Sequence, residues 1–308
     1  MLNFSAHGKL LLTGEYLVME GAQALALPVV LGQRMEVYSI PEPQLLWEAH
    51  APAGLWFNAK LAWPDLTLTE TSDQTLAAKL TQILSVAFAA TRLPQQGGFR
   101  VITRLDFDPE FGLGSSATLI SLLSQWLNLD AYGLNQQLFG GSGYDIACAT
   151  ANGPLVYALH DQKSQHTRVP FFPDFHQHLF FVYLGAKQRS SSEIHRFKRN
   201  AVFSTSDIQR VSDLTHQVAI SSELEHFEAF LREHEALLSR ILNRPTIQQE
   251  RFKNYDGVVK SLGAWGGDFV LVTTQMGEED FRQEMQSRGF EVVFPFKDLV
   301  LHRQPANS

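Results

Sequence analysis

The chain carries one cysteine, Cys148, in 308 residues. A lone thiol excludes an intrachain disulfide framework and a zinc site built from clustered cysteines, and it suits a reducing compartment. Basic residues are also few. There are 25 Lys and Arg against 32 Asp and Glu, a net charge of −7 with no basic block to offset it. Nucleic acid is therefore not an expected partner. No apolar run is long enough to cross a bilayer, and residues 1–12 lack the pattern of an export signal, so a cytoplasmic protein without membrane attachment is expected. His216, His226 and His234 show no HxxxH spacing and read as surface residues, not metal ligands. The remaining composition, 44% hydrophobic and 19% charged, is ordinary for a soluble chain long enough for one large domain or two.

Glycine clusters organise what is present. Residues 108–126 read DPEFGLGSSATLISLLSQW. Gly112, Gly114, Ser115 and Ser116 run directly into a helical pattern with Leu119, Leu122, Leu123, Trp126 and Leu127 on one face. Glycines before a helix let backbone N–H groups converge, and the first turn adds its unpaired amides and the positive end of the dipole. That is a phosphate cradle. Ser115 and Ser116 can cap the helix, and either hydroxyl can reach a phosphate or Mg2+. The competing reading is a Gly/Ser loop that simply caps a buried helix.

Earlier in the chain, GKLLLTGEYLVMEG spans residues 8–21. KLLLT has the character of a buried strand, with Lys9 at its start and Glu15 just beyond. Either both charges reach the surface at strand ends, or they form a cleft wall with Lys9 facing an anion. Residues 24–30 and 33–40 suit strands. Residues 41–68 suggest short strands and loops whose Trp47, Trp56, Phe57 and Trp63 line a pocket or pack a core. Asp73 is placed to cap a helix over 74–90, with Leu76, Leu80, Ile83, Leu84 and Phe88 on one face. After Gln95-Gln96-Gly97-Gly98, residues 99–105 read as the strand feeding the glycine loop.

Gly140, Gly141 and Gly143 precede Tyr144 and Asp145, and Ile146, Ala147, Cys148 and Ala149 read as buried. Asp145 is either a turn or capping aspartate or a carboxylate set for proton transfer. Strands are expected at 155–159 and 178–184. Lys187 and Arg189 then approach Ser190, Ser191 and Ser192, an anion-binding group or a solvated loop entering a helix. Helices follow at 207–220 and 224–242, with a break at Pro245. A third cluster, Gly263, Gly266 and Gly267, precedes a strand at 269–272; close approach to a ligand and a tight turn both call for such glycines. A helix over 278–287 and a strand over 290–294 complete the chain.

Four of these segments, in order, resemble the galactokinase, homoserine kinase, mevalonate kinase and phosphomevalonate kinase (GHMP) superfamily. GKLLLTGEYLVMEG resembles its N-terminal motif, PEFGLGSSAT its phosphate-binding motif and KSLGAWGGDF its C-terminal glycine motif. GSGYDIACA resembles the segment bearing the catalytic aspartate in the mevalonate and phosphomevalonate branch. The resemblance implies an α+β, two-domain fold. Its N-terminal α/β domain would be ribosomal protein S5 domain 2-like with a left-handed βαβ unit, its C-terminal domain ferredoxin-like. Residues 1–168 would form the first and 169–308 the second. It implies ATP and Mg2+ as cofactors, with Gly112, Leu113, Gly114, Ser115, Ser116, Gly263, Gly266 and Gly267 around the nucleotide. Asp145 and Lys9 would be catalytic. Glu15, Tyr144, Lys187 and Arg189 would meet the substrate, and Ser116 the metal.

The implied reaction moves the γ-phosphoryl group of ATP to a hydroxyl of a small acid, mevalonate first; the second reading is a phosphomevalonate kinase, in which the acceptor is the phosphate of phosphomevalonate. A non-catalytic nucleotide-binding relative is the further alternative, and the assembly implied is a monomer or homodimer. The chain departs from the branch in four places. His7 replaces a usual proline, and the spacing from Pro109 to GLGSS is one residue short. Trp265 replaces a small residue and is expected to narrow the pocket. No helix glutamate precedes the aspartate segment: residues 128–137 offer only Asp130, with Gln136 and Gln137 nearer the site, so Asp73 is expected to help hold the metal.

Overall fold

A computed structural model of the chain describes residues 1–91, 96–161, 163–185 and 190–302, leaving out the side chains of Ser190 and Ser191. The chain divides into two compact units. One comprises Met1–Gly8, Leu31–Pro109 and Leu113–Thr150; the other comprises Lys9–Val30, Glu110–Gly112 and Ala151–Ser308.

The strands of the first unit are parts of β1 (Leu2–Leu11) and β2 (Ala24–Ile40), then β3 (Gln44–Ala51), β4 (Gly54–Ala62), β5 (Leu68–Thr71) and β6 (Gly98–Leu105). Their order is β5-β4-β3-β6-β2, antiparallel except for the β3–β6 pair. Four helices accompany them: α1 (Gln74–Ala89), α2 (Ser115–Leu127), α3 (Ala131–Leu138) and α4 (Tyr144–Thr150). The apolar face expected of α1 is the buried one, with Leu80, Ile83 and Leu84 in the core beside Ile120 and Leu123 of α2 and Ile146 of α4. Trp47, Phe57 and Trp63 belong to this core, and Trp63 packs edge-on against Phe88 and Phe99. Of the four aromatics considered as pocket lining, only Trp56 is exposed. β2 is one strand of 17 residues, not two segments. Gly32 permits this, because a Cβ there would lie 2.2 Å from the Ala6 carbonyl oxygen.

In the second unit the first residues of β2 pair β7 (Leu155–His160), which forms a hairpin with β8 (Lys163–Arg168). A separate antiparallel sheet has the order β10-β11-β9-β12, from β9 (Leu179–Tyr183), β10 (Val259–Ser261), β11 (Phe269–Thr273) and β12 (Val293–Pro295). Between β9 and β10 run α5 (Ser190–Asn200), α6 (Thr205–Ile220), α7 (Leu224–Leu242) and α8 (Ile247–Arg251). Between β11 and β12 lies α9 (Glu278–Ser287), and α10 (Phe296–Leu299) follows β12. This β-α-β-β-α-β succession is the ferredoxin-like pattern. Phe180 and Val182 of β9, Val270 and Val272 of β11, and Phe281 and Met285 of α9 fill its core. α6 opens with a reciprocal cap between Ser204 and Asp207. β8 and β10 are not visible in the sequence. β8 is KSQHTR, with no buried residue to set an alternation, and β10 is three residues long.

Candidate active site

In the second unit, three motifs far apart in sequence meet at Gly112. Lys9 on β1 donates from Nζ to the Gly112 carbonyl oxygen at 2.9 Å. The residues before Gly112 are held by an aromatic cluster: the Phe111 ring lies 4.8 Å from Tyr183, 5.8 Å from Phe269 and 6.4 Å from Phe294. The Tyr183 hydroxyl donates to the Glu110 carbonyl at 3.2 Å. Asp268 then arrives from the C-terminal glycine motif. Its own carbonyl accepts the Leu184 N–H at 2.8 Å, which fixes its backbone beside β9. Its carboxylate lies against Gly112 so closely that a Cβ at residue 112 would stand 1.7 Å from Oδ2. Gly112, at φ +68°, has both a backbone angle that favours glycine and a contact that leaves no room for a Cβ unless the Asp268 side chain shifts.

The C-terminal glycines have separate reasons. A Cβ on Gly267 would meet the Ala264 carbonyl oxygen at 2.3 Å, so that glycine is required by its own turn, whereas the space beside Gly263 is open. Trp265 does not narrow a pocket. Its ring is 1% exposed, packed with Tyr16, Phe197 and Ile241, and its Nε1 donates to the Pro245 carbonyl at 3.1 Å. An apolar ring of that size gains more from this cluster than from a solvated loop.

Glu15 is interior, not open to a substrate. It is 1% exposed, with Oε1 accepting from Lys260 Nζ at 2.5 Å. Lys260, fully buried, also meets Glu235 at 3.2 Å and the Ser261 carbonyl at 2.7 Å. His234 is likewise buried, contrary to the surface position expected of it, and its Nε2 accepts the Gly14 N–H at 3.0 Å. Two carboxylates share one ammonium here. Burial pushes Glu15 up to about 7, with Lys260 opposing the shift, and raises Glu235 for the same reason. Burial, then Lys260, holds His234 well below its ordinary range, so its imidazole is neutral. The cluster ties the Gly14-Glu15 turn to α7 and to the strand leading into the third glycine motif.

In the first unit, Gly114 is the N-cap of α2, at φ 94° and without a side-chain cap. Ser115 and Ser116 do not cap the helix; glycine takes that place because the N-cap residue here is left-handed. Leu113 is buried and Ser116 exposed. Asp145 and Tyr144 open α4, both half-buried, and α4 packs on α2. Asp145 Oδ1 accepts the N–H of Ile146 at 3.0 Å. The turn before it is pinned from α3, where Asn135 Nδ2 reaches the Gly140 carbonyl at 3.1 Å and Gln136 Nε2 the Gly141 carbonyl at 2.8 Å.

Asp73 and Asp130 both serve as helix caps. Asp73 Oδ1 accepts the Leu76 N–H at 2.9 Å, and Asp130 accepts from Tyr132 and Gly133. The structure therefore gives Asp73, expected as a metal ligand, a local capping bond through Oδ1. Among the described residues no three His, Cys, Asp or Glu side chains cluster as a metal site. Lys187 and Arg189 lie outside the described residues. Sequence reasoning quoted Asp268 and Lys260 without a role for either. An acid directly after a glycine pair was the available signal for Asp268.

No family model and no curated protein sequence matches the chain. Solved structures do. Phosphomevalonate kinase from Streptococcus pneumoniae, in complex with phosphomevalonate and AMPPNP, matches with a TM-score of 0.71 at 17% identity, over 96% of this chain and 99% of that one. Mevalonate kinase from Methanococcus jannaschii matches at 0.69 and 17%, over 98% of each chain. Galactokinase from Lactococcus lactis, complexed with galactose, matches at 0.64 and 10%, over 93% and 88%. The chain therefore has the GHMP kinase fold, and its matches include both mevalonate and phosphomevalonate kinases. No helix among the described residues is long and apolar enough to cross a membrane.

Proposed function

We propose that the protein is a GHMP-type kinase that transfers the γ-phosphoryl group of ATP to a hydroxyl of a small carboxylic acid, with mevalonate as the leading acceptor. The observation that carries this reading is the meeting of Lys9, Gly112 and Asp268, one residue from each of the three glycine-bearing motifs. Phosphoryl transfer requires alignment and charge stabilisation more than covalent help. The amides of the glycine loop and of the first turn of α2 suit the triphosphate, with Ser115 and Ser116 adding hydroxyls. Lys9 would stabilise negative charge on the transferring group, and Asp145 would accept the acceptor hydroxyl's proton or orient that hydroxyl. Mg2+ suits the exposed Ser116 hydroxyl, a hard oxygen donor of the kind it takes together with phosphate oxygens. When bound it would neutralise charge on the phosphates.

Phosphomevalonate is the second acceptor. The TM-score of 0.71 with the phosphomevalonate kinase complex keeps it in view. ADP release measured with mevalonate, phosphomevalonate, homoserine and galactose separates these readings. Turnover with one of the two isoprenoid acids is expected. In the Asp145→Asn variant ATP should bind about as well as in the parent, and transfer should be largely lost. Equal turnover by the two proteins would remove Asp145 from the catalytic role. ATP binding without turnover on any acceptor would favour a regulatory relative.

A further inference from the structure

We infer that the outward face of α5 is an electrostatic guide that draws the nucleotide toward the C-terminal glycine loop and so sets how fast the protein captures it. This rests on the kinase reading above and gives a role to Arg196, Lys198 and Arg199, which belong to none of the four motifs.

Three observations carry it. The first is the helix face. Phe197 turns inward, 3% exposed, into the cluster with Val211, Leu238 and Ile241. At about 3.6 residues per turn, Arg196, Lys198 and Arg199 are carried round to the sides and back of the helix, and all three are exposed. The second is the lack of a compensating acid. The one acid of α5, Glu193, is engaged by Arg244, whose Nη1 donates to it at 2.9 Å. Other arginines of this unit are held by carboxylates: Arg210 by Glu233, Arg240 by Asp207, Arg282 by Glu278 and Arg288 by Glu284. Arg196, Lys198 and Arg199 form no ion pair among the described residues, in a chain whose net charge is −7.

The third is the seat of the helix. Phe197 stacks on Tyr16 with ring centroids 5.1 Å apart, and the Tyr16 hydroxyl accepts the Trp265 N–H at 2.6 Å. Arg244, bonded to Glu193, also brings Nη2 beside Gly266, 3.8 Å from where a Cβ would stand there. Two contacts therefore fasten α5 to the loop that runs on to Asp268. A helix is about 10–12 Å across, so its charges act on that loop from little more than the Debye length of about 8 Å at physiological salt. Charge at this range raises the encounter rate of an oppositely charged ligand without making a contact in the bound state. A triphosphate is the matching ligand. The three cations lie within a single helical turn, far less than the ~800 Å² per partner of a standard protein interface.

The test is stopped-flow binding of a fluorescent N-methylanthraniloyl ATP, with Mg2+, to the full chain over a series of salt concentrations. The wild type is compared with the triple variant Arg196→Gln, Lys198→Gln, Arg199→Gln, and with Lys198→Glu alone in case the triple variant does not fold. The association rate constant of the triple variant should be lower by roughly three- to tenfold at low salt, and Lys198→Glu should fall in the same direction. Both should converge on the wild type as salt screens the charges, with dissociation rates unchanged. Equal association rates at low salt would overturn the inference and leave the kinase reading standing. So would a loss confined to the dissociation rate, which marks a bound-state contact and not guidance. Failure of the wild type to bind the nucleotide at any salt concentration would remove the kinase reading, and this inference with it.

Discussion

Gly112 and Gly140 have nearly the same backbone angle, φ +68° and +69°, yet their surroundings differ. A Cβ at Gly140 meets nothing within 4 Å, whereas at Gly112 it overlaps the Asp268 carboxylate. Gly140→Ala should therefore cost only the left-handed strain of a non-glycine residue, about 1–2 kcal/mol. Gly112→Ala should cost clearly more and also weaken ATP binding, because Asp268 and the loop must separate. Urea unfolding of the two variants checks this; equal losses would show that the Asp268 contact is soft. The same logic explains why Trp265 is tolerated in a glycine motif. Its ring leaves the loop for the Tyr16 and Phe197 cluster, so the bulky side chain adds to the core and not to the loop.

Elements are joined by buried charge as well as by apolar surface. Glu15, Lys260, Glu235 and His234 link the N-terminal turn, α7 and β10. Breaking such a buried pair by deleting one member costs roughly 3–5 kcal/mol, because the partner stays behind unpaired. The arrangement also sets a pH dependence. Glu15 holds its proton up to about 7 when folded, against an ordinary 4.5. The folded chain thus binds a proton that the unfolded chain has released, and this contribution, full below about 4.5, is lost as pH rises through 7. Glu235 acts in the same direction. His234 acts oppositely: its pKa is depressed, so its contribution is present above its ordinary 6.5 and is lost as pH falls. Glu15→Gln should remove the first effect and leave the second. Its stability should decline less than that of the wild type between about pH 5 and pH 7, by urea denaturation at a series of pH values. Parallel profiles for the two proteins would refute the assignment.

At the scale of the whole molecule, neither compact unit is a continuous piece of chain. The second takes Lys9–Val30 and Glu110–Gly112 from the N-terminal half, and β1 and β2 each contribute to both. A fragment of residues 151–308 lacks the β2 residues that pair β7, and it lacks Glu15 opposite Lys260. It should not unfold cooperatively on heating. A sharp calorimetric transition for that fragment would show that the borrowed segments are dispensable. The kinase fold is thus assembled from a chain that crosses between its units several times.

Local order was written in the sequence by itself. The helical spacing in α1 and α2, the Asp73 cap, the glycine turns and the four motifs with their family resemblance all depend on neighbours a few residues away, and all were legible there. β8 escaped because an exposed polar strand has no buried face to set a period. The burial of Glu15, His234 and Lys260, the inward turn of Trp265 and the seat of Asp268 on Gly112 were decided only by tertiary structure. The physical reason is that a charge can be buried, or a carboxylate held on a glycine, only when its partner is supplied, and the partner of Glu15 stands 245 residues away.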